Sequence, residues 1–302
     1  VGIIHFDYWH VLVGLAGIFM TLAAYAAIGL FLSSLTTYQV IAAILTFVML
    51  TFLSFVGSFW QDVDFLRDIT YYGLWMGYRT SNMLNGLLTT RDVIYFIAII
   101  GMFLAMTAAG LKMSREARPF ARRAGRFLVI ICCGVIVTYL TSRPGYIGYW
   151  DATAVKQNTI SENVQHILRE MGDAPVEVTE YINFFDLPTY QKAVPSLRNQ
   201  DKDRWEPFIR FNPNIRLNWV YYYDSITPTP TTVIYKDNPG KNLAQLFAAE
   251  ITGGWKINPK DFKTPAKIHR LIDLREERDR VVMQVKYKGK TTWLRTFEDP
   301  QM

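Results

Sequence analysis

Residues 11–59 constrain this chain more than any other stretch. Two apolar runs, Val11–Leu32 and Val40–Phe59, contain no Lys, Arg, Asp or Glu and are parted only by Ser33-Ser34-Leu35-Thr36-Thr37-Tyr38-Gln39. A helix rising about 1.5 Å per residue needs about 20 apolar residues to cross a hydrocarbon core of roughly 30 Å. Each run meets that length, so the stretch predicts a membrane hairpin with a short polar knuckle. Gly14, Gly17, Ala23, Ala24, Ala26, Ala27 and Gly29 keep the first run slim, which lets neighbouring helix backbones approach it. A third uncharged run, Val93–Leu111, predicts a third span. Phe127–Ser142 predicts a shorter fourth, ending at Arg143, whose long side chain can reach the interface, and at the aromatic belt Tyr146, Tyr149 and Trp150.

Charge divides the chain in two. Of 32 Lys+Arg and 26 Asp+Glu, residues 1–150 hold 10 and 6, leaving 22 and 20 for residues 151–302. A membrane domain followed by a charge-rich domain outside the bilayer is predicted. The segment between the third and fourth spans sets the orientation: Lys112, Arg115, Arg118, Arg122, Arg123 and Arg126 against Glu116 make a short basic loop of the kind retained in the cytoplasm. The same residues would meet acidic lipid headgroups. Counting spans from there, the knuckle is cytoplasmic, and the N-terminus, residues 60–92 and everything after Trp150 are extracytoplasmic. The predicted domains are therefore a membrane domain at 1–111, the basic loop at 112–126, an anchor span with its exit belt at 127–150, and an extracytoplasmic α/β domain at 151–302. The second half has no basic run of the length that marks a nucleic-acid patch, so nucleic acid is excluded as a partner. Val1 in place of Met reads as the start of a piece of a longer chain.

Residues 60–92 are mixed. Asp62, Asp64, Arg67, Asp68, Arg79 and Arg91 alternate with Phe65, Tyr71, Tyr72, Trp75, Met83 and Leu87. Two readings stay open: helices lying in or dipping into the membrane, or a loop packed on the outer domain. In the second half, Ser161 or Thr159 can cap a helix that Gly172 ends; Thr159 with Glu162 has capping-box spacing. Val176–Phe184 and Ile215–Tyr223 alternate as strands, with a helical or irregular stretch around Asp203–Phe211 between them. Asn242–Ile251 and Pro265–Leu274 read as helices. Val281–Tyr287 and Lys290–Phe297 flank Lys288-Gly289 as a hairpin. This order of strands and helices resembles a thioredoxin-like domain.

Chemistry is harder to find. Cys132 and Cys133 are adjacent in an apolar run and can build neither a disulfide framework nor a metal knuckle. His5 and His10 lack a carboxylate or Cys partner at ligand spacing and read as interfacial residues. Asp201-Lys202-Asp203 and Glu276-Glu277 read as solvated acidic faces. No phosphate-cradling Gly-rich loop, His-Glu-x-x-His or Gly-x-Ser-x-Gly occurs, and without a Cys-x-x-Cys a thioredoxin-like domain has no thiolate pair for dithiol exchange. No catalytic, cofactor-binding or metal residues are predicted.

Two stretches resemble a known family. Ala27–Phe47, with the knuckle at its centre, and Asn85–Phe96 look like the second half of a type-2 ABC exporter permease of the gliding-motility (Gld) kind. Asp151-Ala152-Thr153 and Asn158–Asn163 resemble the auxiliary protein of the same system, with Ala152 where that protein has Leu and Gln157-Asn158 in place of a basic-aromatic pair. The resemblance implies a permease fused to its auxiliary subunit in a bacterial inner membrane. It implies partnership with an ATP-binding cassette subunit and a second permease unit, and the absence of about three preceding helices and of a large following amidotransferase-like domain. It makes Ser33, Ser34, Thr36 and Gln39 secondary contacts for coupling to the ATPase; the substrate is not implied. The rival expectation is a membrane anchor that transports nothing and presents an envelope-facing interaction domain. An enzyme is a distant third.

The predicted topology has a direct test. With Cys132 and Cys133 changed to Ala, a Cys at Ser114 is expected to react with impermeant thiol reagents only after the membrane is broken, and one at Ser196 in intact spheroplasts; labelling of both from outside would overturn the four-span topology.

Overall fold

The protein's structure, a computed structural model, describes residues 7–60, 63–114, 120–142, 147–186, 197–225, 240–252 and 258–295. These fall into two compact units, Val1–Glu162 and Asn163–Met302. The first is mostly helical and the second is a small mixed-sheet α/β domain.

Among the described residues, four helices of the first unit are long and apolar enough to cross a membrane: α1 (Tyr8–Leu35), α2 (Gln39–Phe55, continued by a 3-10 turn to Ser58), α5 (Thr90–Ser114) and α6 (Phe120–Thr141). The chain is a membrane protein by that measure. Phe19, Val40 and Phe47 lie more than two thirds exposed, an outward apolar surface suited to lipid rather than water. Over their most apolar 18 residues α1 is the most buried span, at 39% against 6% for α6, so α1 forms the centre and α6 the margin. The inner faces interlock through Ala24, Ile28, Phe96, Ile99 and Phe103.

Residues 63–89 fold into the helical unit. They form α3 (Asp64–Asp68), a π-helical turn (Ile69–Leu74), α4 (Met76–Leu84) and β1 (Leu87–Thr89). Of the two readings of this segment, short helices packed against other helices is the observed one: Met76, Met83 and Leu53 share one core with α1 and α5. The seat for α4 is a stripe on α1 at His10, Gly14, Gly17 and Thr21, four positions on one helical face. His10 Nε2 lies 2.9 Å from the Leu84 carbonyl oxygen, and Thr21 Oγ1 lies 2.9 Å from Thr80 Oγ1. At Gly17 a Cβ would stand 2.7 Å from Met83 Cβ. The glycine thus sets how closely α4 approaches.

A two-stranded antiparallel ribbon closes this end of the bundle, with β1 paired to β2 (Tyr149–Asp151). Residues 149–162 therefore belong with the helices, twelve residues beyond the predicted boundary at 150/151. The ribbon ties them there, with help from Asp7, whose Oδ2 accepts from the Ala154 N–H at 2.6 Å.

The second unit has one sheet in the order β4-β3-β5-β6: β3 (Val176–Asn183) runs parallel to β4 (Ile215–Tyr222) and antiparallel to β5 (Val282–Tyr287), which pairs with β6 (Lys290–Arg295). Lys288 and Gly289 both have positive φ, +46° and +77°, the backbone a tight two-residue hairpin demands. Alternation gives the sheet two buried faces. Ile182 and Tyr223 pack with Leu246 and Phe247 of α9 (Leu243–Thr252), and Val176 and Val178 pack near Leu168 of α7 (Glu162–Glu170) and Phe208 of α8 (Arg198–Ile209). Tyr181, Tyr222 and Val282 pack with Ile268 of α10 (Pro265–Leu271). Helix α7 begins at Glu162, which puts Ser161 rather than Thr159 at the cap position. One residue of each acidic pair expected on a solvated face has a structural partner instead, while Glu276 is exposed as expected. Glu277 is buried and bidentate to Arg295 at 2.7 and 2.9 Å, and Asp201 is buried and accepts from Trp219 Nε1 at 3.1 Å.

Helix packing at Gly17 generates a contrast. Gly17→Ala overfills the α1–α4 contact and is expected to lower stability by about 1–3 kcal/mol. Gly101→Ala, where nothing lies within 4 Å of the new Cβ, should be neutral or stabilising by up to about 1 kcal/mol. Thermal unfolding of both variants in detergent measures the difference, and equal midpoints would refute the close α1–α4 approach.

Candidate functional site

The helical unit buries a charged network where α4, α5 and the end of α6 meet. Thr89-Thr90-Arg91-Asp92 starts α5: Thr89 Oγ1 accepts from the Asp92 N–H at 3.1 Å, the cap-to-third-residue bond of a helix N-terminus, and the Asp92 carboxylate sits in the first turn where helix N–H groups favour negative charge. Arg79 comes from the middle of α4. Its Nη1 donates to Asp92 Oδ1 at 2.8 Å, and both side chains are fully buried. Arg79 Nη2 donates to the Tyr72 carbonyl and, at 3.2 Å, to Ser142 Oγ. Asn82 Nδ2 donates to Asp92 Oδ2 at 3.2 Å. The Tyr95 ring lies 5.2 Å from the guanidinium carbon, and its hydroxyl donates to the Leu74 carbonyl at 2.8 Å. Arg91, also buried, stands 3.7 Å from Asp92 and lies over Tyr78 at 5.7 Å.

One guanidinium therefore ties α4, the π-helical turn, α5 and the residue after α6. The π turn leaves backbone carbonyls outside the regular helical ladder, and Arg79 takes one of them, at Tyr72. A buried ion pair with this many hydrogen bonds is the arrangement in which charge survives away from water. The network lies at the ends of two spans, at the first turn of α5 and just past α6. Beside the network an open, mostly apolar hollow of about 380 Å³ is lined by residues of β1, β2 and the first turn of α5, among them Leu88, Val93 and Trp150.

The motif Asp151-Ala152-Thr153 closes the same end. Asp151 Oδ1 accepts from the Thr153 N–H at 3.0 Å and its hydroxyl at 2.6 Å, and Oδ2 accepts from the Asn158 N–H at 2.8 Å. Burial works to raise this carboxyl, but the Thr153 and Asn158 donors outweigh it and hold the group below its ordinary range. Gly86, at φ +81°, passes so close that a Cβ would meet Thr153 Cγ2 at 2.7 Å.

The residues singled out from sequence lie at the opposite ends of the spans. Ser33 and Ser34 belong to the last turn of α1, Thr36 is its C-cap and Gln39 opens α2, so the knuckle proper is only Thr36-Thr37-Tyr38. Ser34 Oγ donates to the Phe31 carbonyl at 2.6 Å, and Thr36 Oγ1 accepts from the Tyr38 N–H at 3.2 Å. Ser34 also faces α5, since a Cβ on Gly110 would stand 3.9 Å from its Oγ. Lys112 is exposed near the end of α5 and Arg126 half-buried on α6. Arg115 and Arg118 lie outside the described residues, and Arg122 and Arg123 fall in the first turns of α6 with side chains outside the described part. His5 lies outside as well, while His10 supports α4 as described. The Arg79–Asp92 pair escaped the sequence reading. Its one local signal was the Thr89-x-x-Asp92 cap; its cationic half is thirteen residues away on another helix.

Set beside known protein families, curated proteins and solved structures, the chain matches none.

Breaking the pair is expected to be costly. Arg79→Ala leaves Asp92 buried without its counter-ion and should lower stability by about 3–5 kcal/mol, whereas the double change Arg79→Met with Asp92→Leu should lose much less. Detergent melts of both variants test this, and a single variant no worse than the double would show the pair to be unimportant.

Proposed function

We propose that the chain is the membrane permease and auxiliary subunit of an ATP-driven exporter of the type-2 ABC, gliding-motility kind, energised by a separate ATP-binding subunit. The observation that carries the reading is the interrupted segment 63–89. Two short helices and a π turn folded among full spans, around a buried Arg79–Asp92 pair, are what a pathway-forming bundle requires. Discontinuous helices supply polar backbone at membrane depth only where protein or a cavity receives it. A bundle that only holds a domain in place gains nothing from burying charge at a desolvation cost of several kcal/mol per ion.

In this reading the spans form half of a translocation pathway and work with a second permease unit in a bacterial inner membrane. The basic residues Lys112–Arg126 and the knuckle face the cytoplasm, and the α/β domain faces the periplasm, where it binds substrate or partner proteins. Its sheet, one parallel and two antiparallel pairings in the order β4-β3-β5-β6, supports a thioredoxin-like ancestry. Having no Cys-x-x-Cys, it serves for binding and not for redox exchange.

The contact that transmits ATP hydrolysis must use cytoplasmic surface. Ser34 ends the first span and Thr36 begins the turn to the second, and Ser34 also meets α5, so a bulky residue there shifts helices that the proposed ATPase would move. The full-length protein is expected to copurify with a nucleotide-binding protein and alter its ATP hydrolysis. Ser34→Trp or Thr36→Trp should disturb that coupling while membrane insertion stays intact. A correctly inserted protein that binds no ATPase in mild detergent, with a phenotype untouched by loss of the neighbouring ATPase gene, would leave the membrane-anchor reading in its place.

A further inference from the structure

The α/β unit holds a second set of buried charges, two carboxylates facing a single histidine. Asp224 follows β4 by two residues, His269 lies on α10, and Asp279 sits in the turn before β5. One ligand atom from each lies within 4.8 Å of the other two. The carboxylates are enclosed, with Asp224 6% and Asp279 7% exposed, while the His269 side chain is 47% exposed. Asp224 Oδ2 and Asp279 Oδ1 have no hydrogen-bond partner among the described residues. Asp224 Oδ2 stands 2.6 Å from His269 Nε2, but the two are not aligned as a hydrogen bond. The nearby cation Arg275 is already held by Asp273, through Nε at 2.9 Å and Nη2 at 2.5 Å.

The backbone around the cluster is fixed from beneath. Asn183, fully buried at the end of β3, donates from Nδ2 to the carbonyls of Asp279 at 2.7 Å and Asp224 at 3.0 Å, and its Oδ1 accepts the Asp224 N–H at 3.2 Å. The Tyr222 hydroxyl donates to the Asp279 carbonyl at 3.0 Å, and Ser225 N–H donates to Asp224 Oδ1 at 2.8 Å. Asp279 is held at φ +51°, a conformation that a non-glycine residue keeps only when its surroundings impose it. The carbonyls are engaged in this way, and each carboxylate keeps one oxygen without a hydrogen-bond partner among the described residues. The place is also the usual one for a ligand in an open α/β sheet, outside the carboxyl ends of parallel strands, here β3 and β4.

Two buried carboxylates sharing one space repel each other. The His269–Asp224 contact leaves Asp279 Oδ1 without a hydrogen-bond partner among the described residues.

We propose that Asp224, His269 and Asp279 bind a divalent transition-metal ion of the Zn²⁺ class, with the open side at His269 leaving room for water or a further ligand. One imidazole nitrogen with two carboxylate oxygens is a borderline donor set that suits Zn²⁺ or Mn²⁺ better than Mg²⁺, which takes oxygen ligands and keeps its water. Asn183 acts as a positioning residue, holding the backbones of both carboxylate ligands. The proposal stands independently of the exporter reading.

The experiment uses the full chain in detergent, stripped with a chelator and titrated with Zn²⁺ against a chromophoric competitor. The wild type is expected to take up one Zn²⁺, to be competed by Mn²⁺ but not by millimolar Mg²⁺, and to melt at a higher temperature with the metal bound. Asn183→Ala should weaken binding by roughly 10–100-fold. His269→Ala, a change at a half-exposed position whose folding circular dichroism can verify, should weaken it further and abolish the metal-induced rise in melting temperature. His166→Ala, on exposed α7, should change nothing. Zn²⁺ uptake by wild type no tighter than by folded His269→Ala overturns the proposal, as does a preference for Mg²⁺ or an equal loss in His166→Ala.

Discussion

The helical unit depends on enclosing a charge without leaving it unpaired. Arg79 and Asp92 are both removed from water, and isolated charges so placed would cost several kcal/mol each. The cost is offset because the guanidinium fork finds a carboxylate, a π-turn carbonyl and a hydroxyl while lying against the Tyr95 ring. Each acceptor comes from a different segment. The pair therefore fixes α4 to α5, draws in the end of α6 and sets the short helices among the spans. The His10–Gly14–Gly17–Thr21 stripe on α1 provides the surface on which α4 can come that close. Packing and electrostatics act on the same helix through neighbouring residues, Met83 against α1 and Arg79 against α5.

How much of this could be read from the chain follows from the range of each signal. The four spans, the knuckle and the Lys288-Gly289 hairpin were legible because each is decided by neighbours in sequence: apolar length, a charge-free run, a turn needing two left-handed residues. Strands Val176–Asn183 and Ile215–Tyr222 emerged within one residue of their predicted ends, since alternation is also local. Residues 63–89 stayed ambiguous because their composition suits an interface and a packed loop equally, and only the distant stripe on α1 decides between them. The unit boundary moved to 162 for a similar reason. What keeps Tyr149–Asp151 with the helices is pairing with Leu87–Thr89, some sixty residues earlier. Asp201 and Glu277 looked solvated beside charged neighbours, yet Trp219 and Arg295, each eighteen residues on, bury them. The cluster at Asp224, His269 and Asp279 draws on three separate segments at no motif's spacing.

The two units apply one rule with opposite outcomes. Buried charge must be matched, and among the helices the match comes from within the chain: Asp92 Oδ1 accepts from Arg79 and Oδ2 from Asn82. At the carboxyl ends of β3 and β4 the chain spends its donors differently. Asn183 and Tyr222 satisfy the carbonyls of Asp224 and Asp279, which fixes where those residues stand but does nothing for their charge. Nearby Arg275 is turned to Asp273. A fold that needed only stability at this point would do better with an apolar side chain in place of Asp279, because replacing buried charge with packed hydrophobic residues is commonly neutral or stabilising. Its presence, on a backbone held at positive φ by two buried side chains, is explained when further positive charge comes from outside the chain, and the half-exposed His269 edge is the route by which a cation can enter.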